Sequence, residues 1–179
     1  MTSFFDITST LPWPNAIGKR TAVGPLVGAA ESEAISELAR TTPLILVITA
    51  TTAAAHNLAS ELPFFLSDDR EILLVPDWET LPYDNFSPHE DIVSDRLKAL
   101  SRLPTLKSGV VIISVTTLMH RLAPRYFIDA GVLSLKTGET LDAEQFVRNL
   151  TRNGYRSVDT VYEHGEFATR GSLLDVFPM

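Results

Sequence analysis

The stretch Val110-Val111-Ile112-Ile113-Ser114-Val115 is the most β-branched run in the 179-residue chain. A continuous apolar run of this length is typical of a parallel strand that is buried on both faces. Leu44-Ile45-Leu46-Val47-Ile48 and Ile72-Leu73-Leu74-Val75 have the same character. The sequence therefore predicts three buried strands, which organise the first part of the chain.

Helical patterns alternate with these strands. One helix is predicted through Ala34, Ile35 and Leu38, and a second follows the cap candidates Thr51-Thr52. A third follows Ser87-Pro88-His89-Glu90, which has the spacing of a capping box with proline at the first helical position. Alternating strands and helices with short links predict a parallel sheet with right-handed crossovers.

The pattern changes to shorter elements from about residue 121. Residues 132–136 and 155–161 are predicted strands, and Asp142 with Gln145 predicts the start of an amphipathic helix. A hairpin is predicted around Gly171-Ser172. We therefore expect an α/β fold with three parts: an N-terminal arm over residues 1–20, a parallel-sheet domain over 21–120, and a small α/β domain over 121–179.

Composition restricts the classes of function. The chain has a net charge of −7 and no cysteine, which excludes disulfides and thiolate metal sites. Residues 1–119 carry eight Lys/Arg against fourteen Asp/Glu, and an acidic surface disfavours direct binding to nucleic acid. Neither a signal peptide nor a membrane span of roughly 20 apolar residues is evident. We expect a cytoplasmic protein.

A glycine-rich turn at residues 24–28 precedes the first helix, where a phosphate-binding loop would lie. Such a loop needs a lysine for the terminal phosphates, but Ala30 and Glu31 occupy the positions where that lysine would be sought. Gly28 and Ser32 complete the candidate loop. We expect a degenerate nucleotide loop that binds no ATP; the alternative is a nucleotide-binding ATPase or helicase fragment.

Arg170 ends a predicted strand beside the Gly171-Ser172 turn. An arginine fixed there suits protein recognition, because its planar guanidinium is always charged and ready for bidentate pairing. The alternative is an ordinary solvated arginine.

Residues 76–86 form an acidic, aromatic, proline-punctuated segment. This segment is either a binding loop or, more ordinarily, a loop whose rings pack back on the sheet. His89-Glu90-Asp91 resembles a metal cluster only superficially, because the cap explains the neighbouring residues, and we predict neither a metal site nor a catalytic residue.

Three strings carry a family resemblance: Asp77-Trp78-Glu79-Thr80-Leu81-Pro82-Tyr83-Asp84, Ser87-Pro88-His89, and Glu163-His164-Gly165-Glu166-Phe167-Ala168-Thr169-Arg170-Gly171. They resemble the N-terminal region of the bacterial transcription-repair coupling factors, and the resemblance runs from about residue 20 to the end. That region is similar to UvrB. The resemblance implies a RecA-like domain followed by the start of an inserted small domain that binds UvrA, with both domains continuing beyond residue 179.

The resemblance also implies roles for residues and partners. Arg170 would belong to the UvrA-binding face, Phe167 would anchor its strand or join the contact, and Arg156 is a second candidate. The full-length family protein is an ATP-dependent DNA translocase that removes stalled RNA polymerase and recruits nucleotide-excision repair. Its ATP, magnesium, DNA and polymerase sites would lie outside this segment, which would serve as a non-enzymatic adaptor that mimics UvrB.

Overall fold

The computed structural model describes residue 13 and residues 17–66, 70–81, 83–132 and 135–179. These residues form two compact units. The first consists of the described residues up to Val75 together with Leu106–Met119, and the second of Pro76–Thr105 together with His120–Met179.

The first unit contains a parallel three-stranded sheet. Its strands are β1 (Leu44–Thr49), β2 (Glu71–Val75) and β3 (Gly109–Ser114), in the order β1-β3-β2. Val110 of β3 pairs with Ile45 of β1 and with Ile72 of β2. The β-branched stretch is thus the central strand, and all of its residues are buried.

Three helices belong to the same unit: α1 (Ala30–Thr41), α2 (Thr52–Phe65) and the short α4 (Val115–Leu118). The Thr51 side chain accepts a hydrogen bond from the amide of Ala54 and caps α2, as predicted. Helix α2 covers one face of the sheet with an apolar core formed by Ala55, Leu58, Leu62, Val110 and Ile112.

The expectation that β1 is buried on both faces is wrong. β1 is an edge strand, and Leu44, Leu46 and Ile48 on one of its faces are exposed. Ile45 and Val47 point the other way; Ile45 is buried and Val47 packs against the core beneath α2. Periodicity alone did not reveal this difference, because both faces of the strand are equally apolar in sequence.

The second unit contains three helices and a small sheet. The helices are α3 (Glu90–Arg102), α5 (Arg125–Gly131) and α6 (Ala143–Arg152), and a 3₁₀ turn follows α3 at Leu103–Thr105. The strands are β4 (Arg156–Ser157), β5 (Glu166–Arg170) and β6 (Leu173–Phe177), in the order β4-β5-β6. β4 is parallel to β5, and β6 is antiparallel to it.

Of the two helix caps predicted in the second unit, the structure contains one. Asp142 caps α6 by accepting from the amide of Gln145, as predicted, and Gly154 beyond the helix has a φ of 89°. The capping box at Ser87 is wrong: α3 starts at Glu90, and its N-cap is His89, whose Nδ1 accepts from the amide of Asp91.

Two predicted strands also differ from the structure. The strand over residues 155–161 is only Arg156–Ser157, because the segment leaves β5 after two paired residues. Residues 133 and 134 of the other predicted strand lie outside the described residues, and the described neighbours at 132, 135 and 136 are not in a strand. Helix α5, which the sequence did not predict, precedes them.

The α/β class, with a parallel sheet flanked by helices and then a second small sheet, is confirmed. The domain boundaries at residues 20 and 120 stay predictions. The structure does group α3 with the C-terminal residues, because α3 contacts the 3₁₀ turn and α5.

Candidate protein-interaction site

The predicted hairpin is formed by β5 and β6. Arg170 pairs with Leu173 at the end of the ladder, and Gly171 turns the chain with a φ of 61°. Glycine adopts this left-handed conformation without the steric cost that a β-carbon would bring. Arg170 is therefore the last residue of its strand, at the tip of the hairpin.

The guanidinium of Arg170 is held by the neighbouring segment. Nη2 donates to the carbonyl oxygen of Asp159 at 2.8 Å and to Oγ1 of Thr160 at 3.2 Å. Within the described residues these are its only hydrogen bonds, so Nε and Nη1 stay available. A cavity of about 570 Å³ lies beside it, lined also by Ser157, Val158 and Thr169. An exposed arginine is thus oriented at the wall of an open groove.

Phe167 lies in the core of the second unit. Its ring is 2% exposed and packs with Phe146 and Leu150 of α6. Of its two predicted roles, this position suits the anchor, because a ring so deeply buried cannot contact a partner unless the hairpin leaves α6. Phe167 would act on a partner only by fixing the position of Arg170.

Arg156 is surrounded by carboxylates. Its Nη2 lies 3.0 Å from Oε2 of Glu163, 3.5 Å from Oε1 of Glu166 and 3.6 Å from Oε1 of Glu90. The hydrogen bond to Glu163, together with the charges of Glu90 and Glu166, raises the pKa of Arg156 above its ordinary value. Three acceptors already occupy this arginine, so less of its charge is available to a partner than at Arg170.

Glu166 supports the turn that precedes the hairpin, and it was not among the residues predicted from the sequence. Its Oε2 accepts the amides of Tyr162 and Glu163 at 2.9 and 3.0 Å, and these bonds, aided by Arg156, lower the pKa of the carboxyl group. The signal lay in Glu163-His164-Gly165-Glu166, where a turn glycine lets a carboxylate fold back on the amides that precede it. Gly165 has a φ of 76°.

His164 fixes the same turn to the end of β6. Its ring stacks on Phe177 with 4.3 Å between centroids, and its Nδ1 is hydrogen-bonded to the carbonyl oxygen of Pro178. Nε2 lies 3.4 Å from Oδ1 of Asp91 at the start of α3. Together with Glu166, these contacts hold the turn that leads into the hairpin strand.

The candidate nucleotide loop lies in the first unit. Gly28 has a φ of 63°, Ala30 begins α1, and Glu31 is exposed. Ser32 is fully buried, and its hydroxyl donates to Oε2 of Glu61 at 2.9 Å. The hydroxyl that a magnesium ion would need is therefore bonded to a carboxylate of the same unit. Among the described residues, no cluster of three or more His, Asp or Glu side chains is arranged to bind a metal.

The sequence is similar to known proteins over most of its length. Residues 133–179, which contain α6 and the hairpin, match the family model described as the UvrB interaction domain. The chain is 43% identical over 167 residues to the transcription-repair-coupling factor of Escherichia coli strain K12, covering 93% of this chain and 14% of that protein. The chain belongs to the transcription-repair-coupling factor family. The resemblance first seen in three short strings thus extends over most of its length.

Other members of the family agree. The factor from Haemophilus influenzae is 43% identical over 158 residues, covering 88% of this chain and 14% of that protein. The factor from Myxococcus xanthus is 33% identical over 168 residues, covering 89% of this chain and 14% of that protein. The chain therefore spans about one seventh of the length of these relatives. In the described part of the chain, no helix is long and apolar enough to cross a membrane.

Proposed function

We propose that this chain is an adaptor module that binds UvrA through the β5–β6 hairpin and thereby links a transcription-repair coupling factor to nucleotide-excision repair. The observation that carries the proposal is the exposed guanidinium of Arg170, oriented by Asp159 and Thr160, inside the segment that matches the UvrB interaction domain. An oriented arginine loses less conformational freedom when it pairs with a carboxylate on a partner.

The module is proposed to be an adaptor without enzymatic activity. ATP and magnesium do not suit the loop at residues 28–32, because it has no lysine and because Ser32 is bonded to Glu61. ATP-driven translocation, DNA binding and contact with RNA polymerase are assigned to parts of the family protein beyond this segment. The proposed setting is the cytoplasm, where these partners act.

The decisive experiment is a titration of labelled 179-residue chain with purified UvrA, followed by competition with unlabelled UvrB. A module that mimics UvrB should bind UvrA and be displaced by UvrB, because both would use the same face of UvrA. Arg148 on α6 offers a matched control: it is exposed and pairs with Glu144 on its own helix. Arg170→Glu should abolish binding, and Arg148→Glu should preserve it. Binding that UvrB does not displace would contradict the proposed mimicry.

A further inference from the structure

The loop at residues 76–86 joins β2 to α3 and exposes apolar side chains that a folded chain ordinarily buries. Tyr83 is 102% exposed, Phe86 82% and Leu81 74%. The sequence pattern favours rings packed back on the sheet, and the structure contradicts that expectation for Tyr83 and Phe86. Adjacent exposed side chains of this size mark interaction surfaces more often than isolated ones do.

The base of this loop is firmly anchored. Arg96 of α3 is 2% exposed, and Nη1 donates to the carbonyl oxygen of Pro76 at 2.6 Å. Its guanidinium carbon lies 4.6 Å from the centroid of the Trp78 ring. These contacts fix the start of the loop on α3, so its tip is presented from a rigid base.

The tip has an unfavourable backbone. Glu79 and Tyr83 have φ values of 55° and 75°, and they are the only described residues other than glycine with positive φ. The amide of Asp84 donates to the carbonyl oxygen of Leu81, and the Asp84 carboxylate accepts the amide of Leu81. Tyr83 is thus the third residue of a tight turn, at a position that favours glycine or asparagine. Its aromatic ring brings no packing in return, which is typical of a residue kept for contact.

Charge identifies the kind of partner. Residues 76–86 contain three Asp/Glu and neither lysine nor arginine, and Arg96 at the base of the loop offsets the charge of Asp77. Asp77, Glu79 and Asp84 lie within the loop itself. Such a surface repels phosphate groups, which excludes nucleic acid and anionic lipid as favoured partners, and it attracts a basic protein surface.

We propose that residues 76–86, the acidic aromatic loop, are a docking site for a basic protein surface that carries an apolar patch. Tyr83, Phe86 and Leu81 pack against the patch, and the carboxylates of Glu79 and Asp84 pair with lysine or arginine around it. This division matches the usual anatomy of an interface, with apolar anchors at its centre and charges at its rim. The site is independent of the Arg170 face and of the UvrA proposal.

The test uses the complete chain and a fluorescein-labelled helical peptide built from leucine and lysine. The parent chain should bind it, and Tyr83→Ser combined with Phe86→Ser should weaken binding at least about ten-fold, as expected for the loss of two anchors. The matched control is Tyr126→Ser combined with Phe127→Ser, which removes two exposed rings from α5 and should change affinity less than about two-fold. Amide chemical shifts should move at residues 79–81 and 83–86.

Three further probes separate the alternatives: a peptide with serine in place of leucine, one with glutamate in place of lysine, and single-stranded DNA. All three should bind far more weakly than the leucine–lysine peptide. The proposal is overturned if the parent chain does not bind that peptide, if the loop variant binds it as well as the parent, or if the serine–lysine peptide binds equally well. DNA binding that is lost in the loop variant would instead identify a nucleic-acid surface and also overturn it.

Discussion

Nη2 of Arg156 lies 3.5 Å from Oε1 of Glu166, a carboxylate with 10% side-chain exposure whose other oxygen accepts two backbone amides. Glu166 begins β5, and Arg156 begins β4 beside it. This contact joins the turn before the hairpin to the neighbouring strand. It is the electrostatic support of the segment that carries Arg170.

Glu166 should make stability depend on pH. Its pKa is lowered in the folded chain from an ordinary value of 4.5, so the folded chain binds fewer protons than the unfolded chain in mild acid. The stabilisation is complete above the ordinary pKa and is lost as the pH falls through the lowered folded value. The free energy of unfolding in urea should therefore decrease as the pH falls below the ordinary pKa, and less so in Glu166→Gln. The exposed Glu144 provides the control, and a Glu144→Gln effect of equal size would contradict this assignment.

Gly109 is expected to tolerate no side chain. It has a φ of 144° at the start of the central strand, and a β-carbon there would clash with the backbone carbonyl of Glu71 in β2. Because of this backbone strain and overpacking, Gly109→Ala should lower the free energy of unfolding by about 2–4 kcal/mol. Gly131 at the end of α5 has open space around it, so Gly131→Ala should be neutral or stabilising by up to about 1 kcal/mol. Chemical denaturation measures the free energy of unfolding of both variants, and an equal change in the two would contradict the proposed clash at Gly109.

The parallel sheet could be predicted from sequence because its signal is local. The central strand is an apolar, β-branched run, and residues 44–48 and 72–75 have the same pattern. What the sequence did not reveal depends on tertiary neighbours. The exposure of one face of β1 depends on which elements cover that face, and the short β4 depends on where its segment leaves β5.

The candidate site was predictable to a similar degree. Arg170 at the hairpin tip followed from the turn pair and from the family strings, because both are visible in the chain. The sequence did not reveal three features of the site. These are the hydrogen bonds of Arg170 to Asp159 and Thr160, the burial of Phe167, and the pairing of Arg156 with nearby carboxylates. Each depends on which side chains the fold brings together from segments several residues apart.

Tyr83 should be replaceable with a gain in stability. The left-handed conformation of a residue other than glycine costs about 1 kcal/mol or more, and asparagine tolerates it better. The Tyr83 side chain is fully exposed and contributes little burial. Tyr83→Asn should therefore raise the free energy of unfolding by about 0.5–1 kcal/mol, measured by urea denaturation. A loss of stability would mean that the ring supports the fold.

The chain should bind no ATP. Residues 28–32 lie at the sequence position of a phosphate-binding loop, but lysine is absent, and Glu61 is bonded to the buried hydroxyl of Ser32. Isothermal titration with Mg-ATP should give no binding heat at micromolar concentrations of chain. Micromolar affinity that disappears in Ser32→Ala would revive the interpretation as an ATPase fragment.

Arg170 provides the sharpest test of the hairpin site. Truncating an arginine at the centre of an interface weakens the binding free energy by about 2–4 kcal/mol, which lowers the affinity roughly 30-fold to nearly 1000-fold. Truncating an arginine at the rim weakens it by less than about 1 kcal/mol. Because Arg170 is exposed and hydrogen-bonds to one carbonyl and one hydroxyl, Arg170→Ala should weaken UvrA binding strongly and leave the melting temperature nearly unchanged. Arg170→Glu should weaken it further by placing like charges together.

Arg170→Lys separates geometry from charge. Lysine keeps the positive charge but lacks the planar fork, so it should restore little of the affinity if the partner carboxylate is bound bidentately. Arg148 is an exposed arginine on α6 that pairs with Glu144 on its own helix. The Arg148→Ala variant should therefore bind UvrA like the parent chain. If Arg170→Ala also binds like the parent, this residue is not part of the contact, even though the family membership of the chain stands.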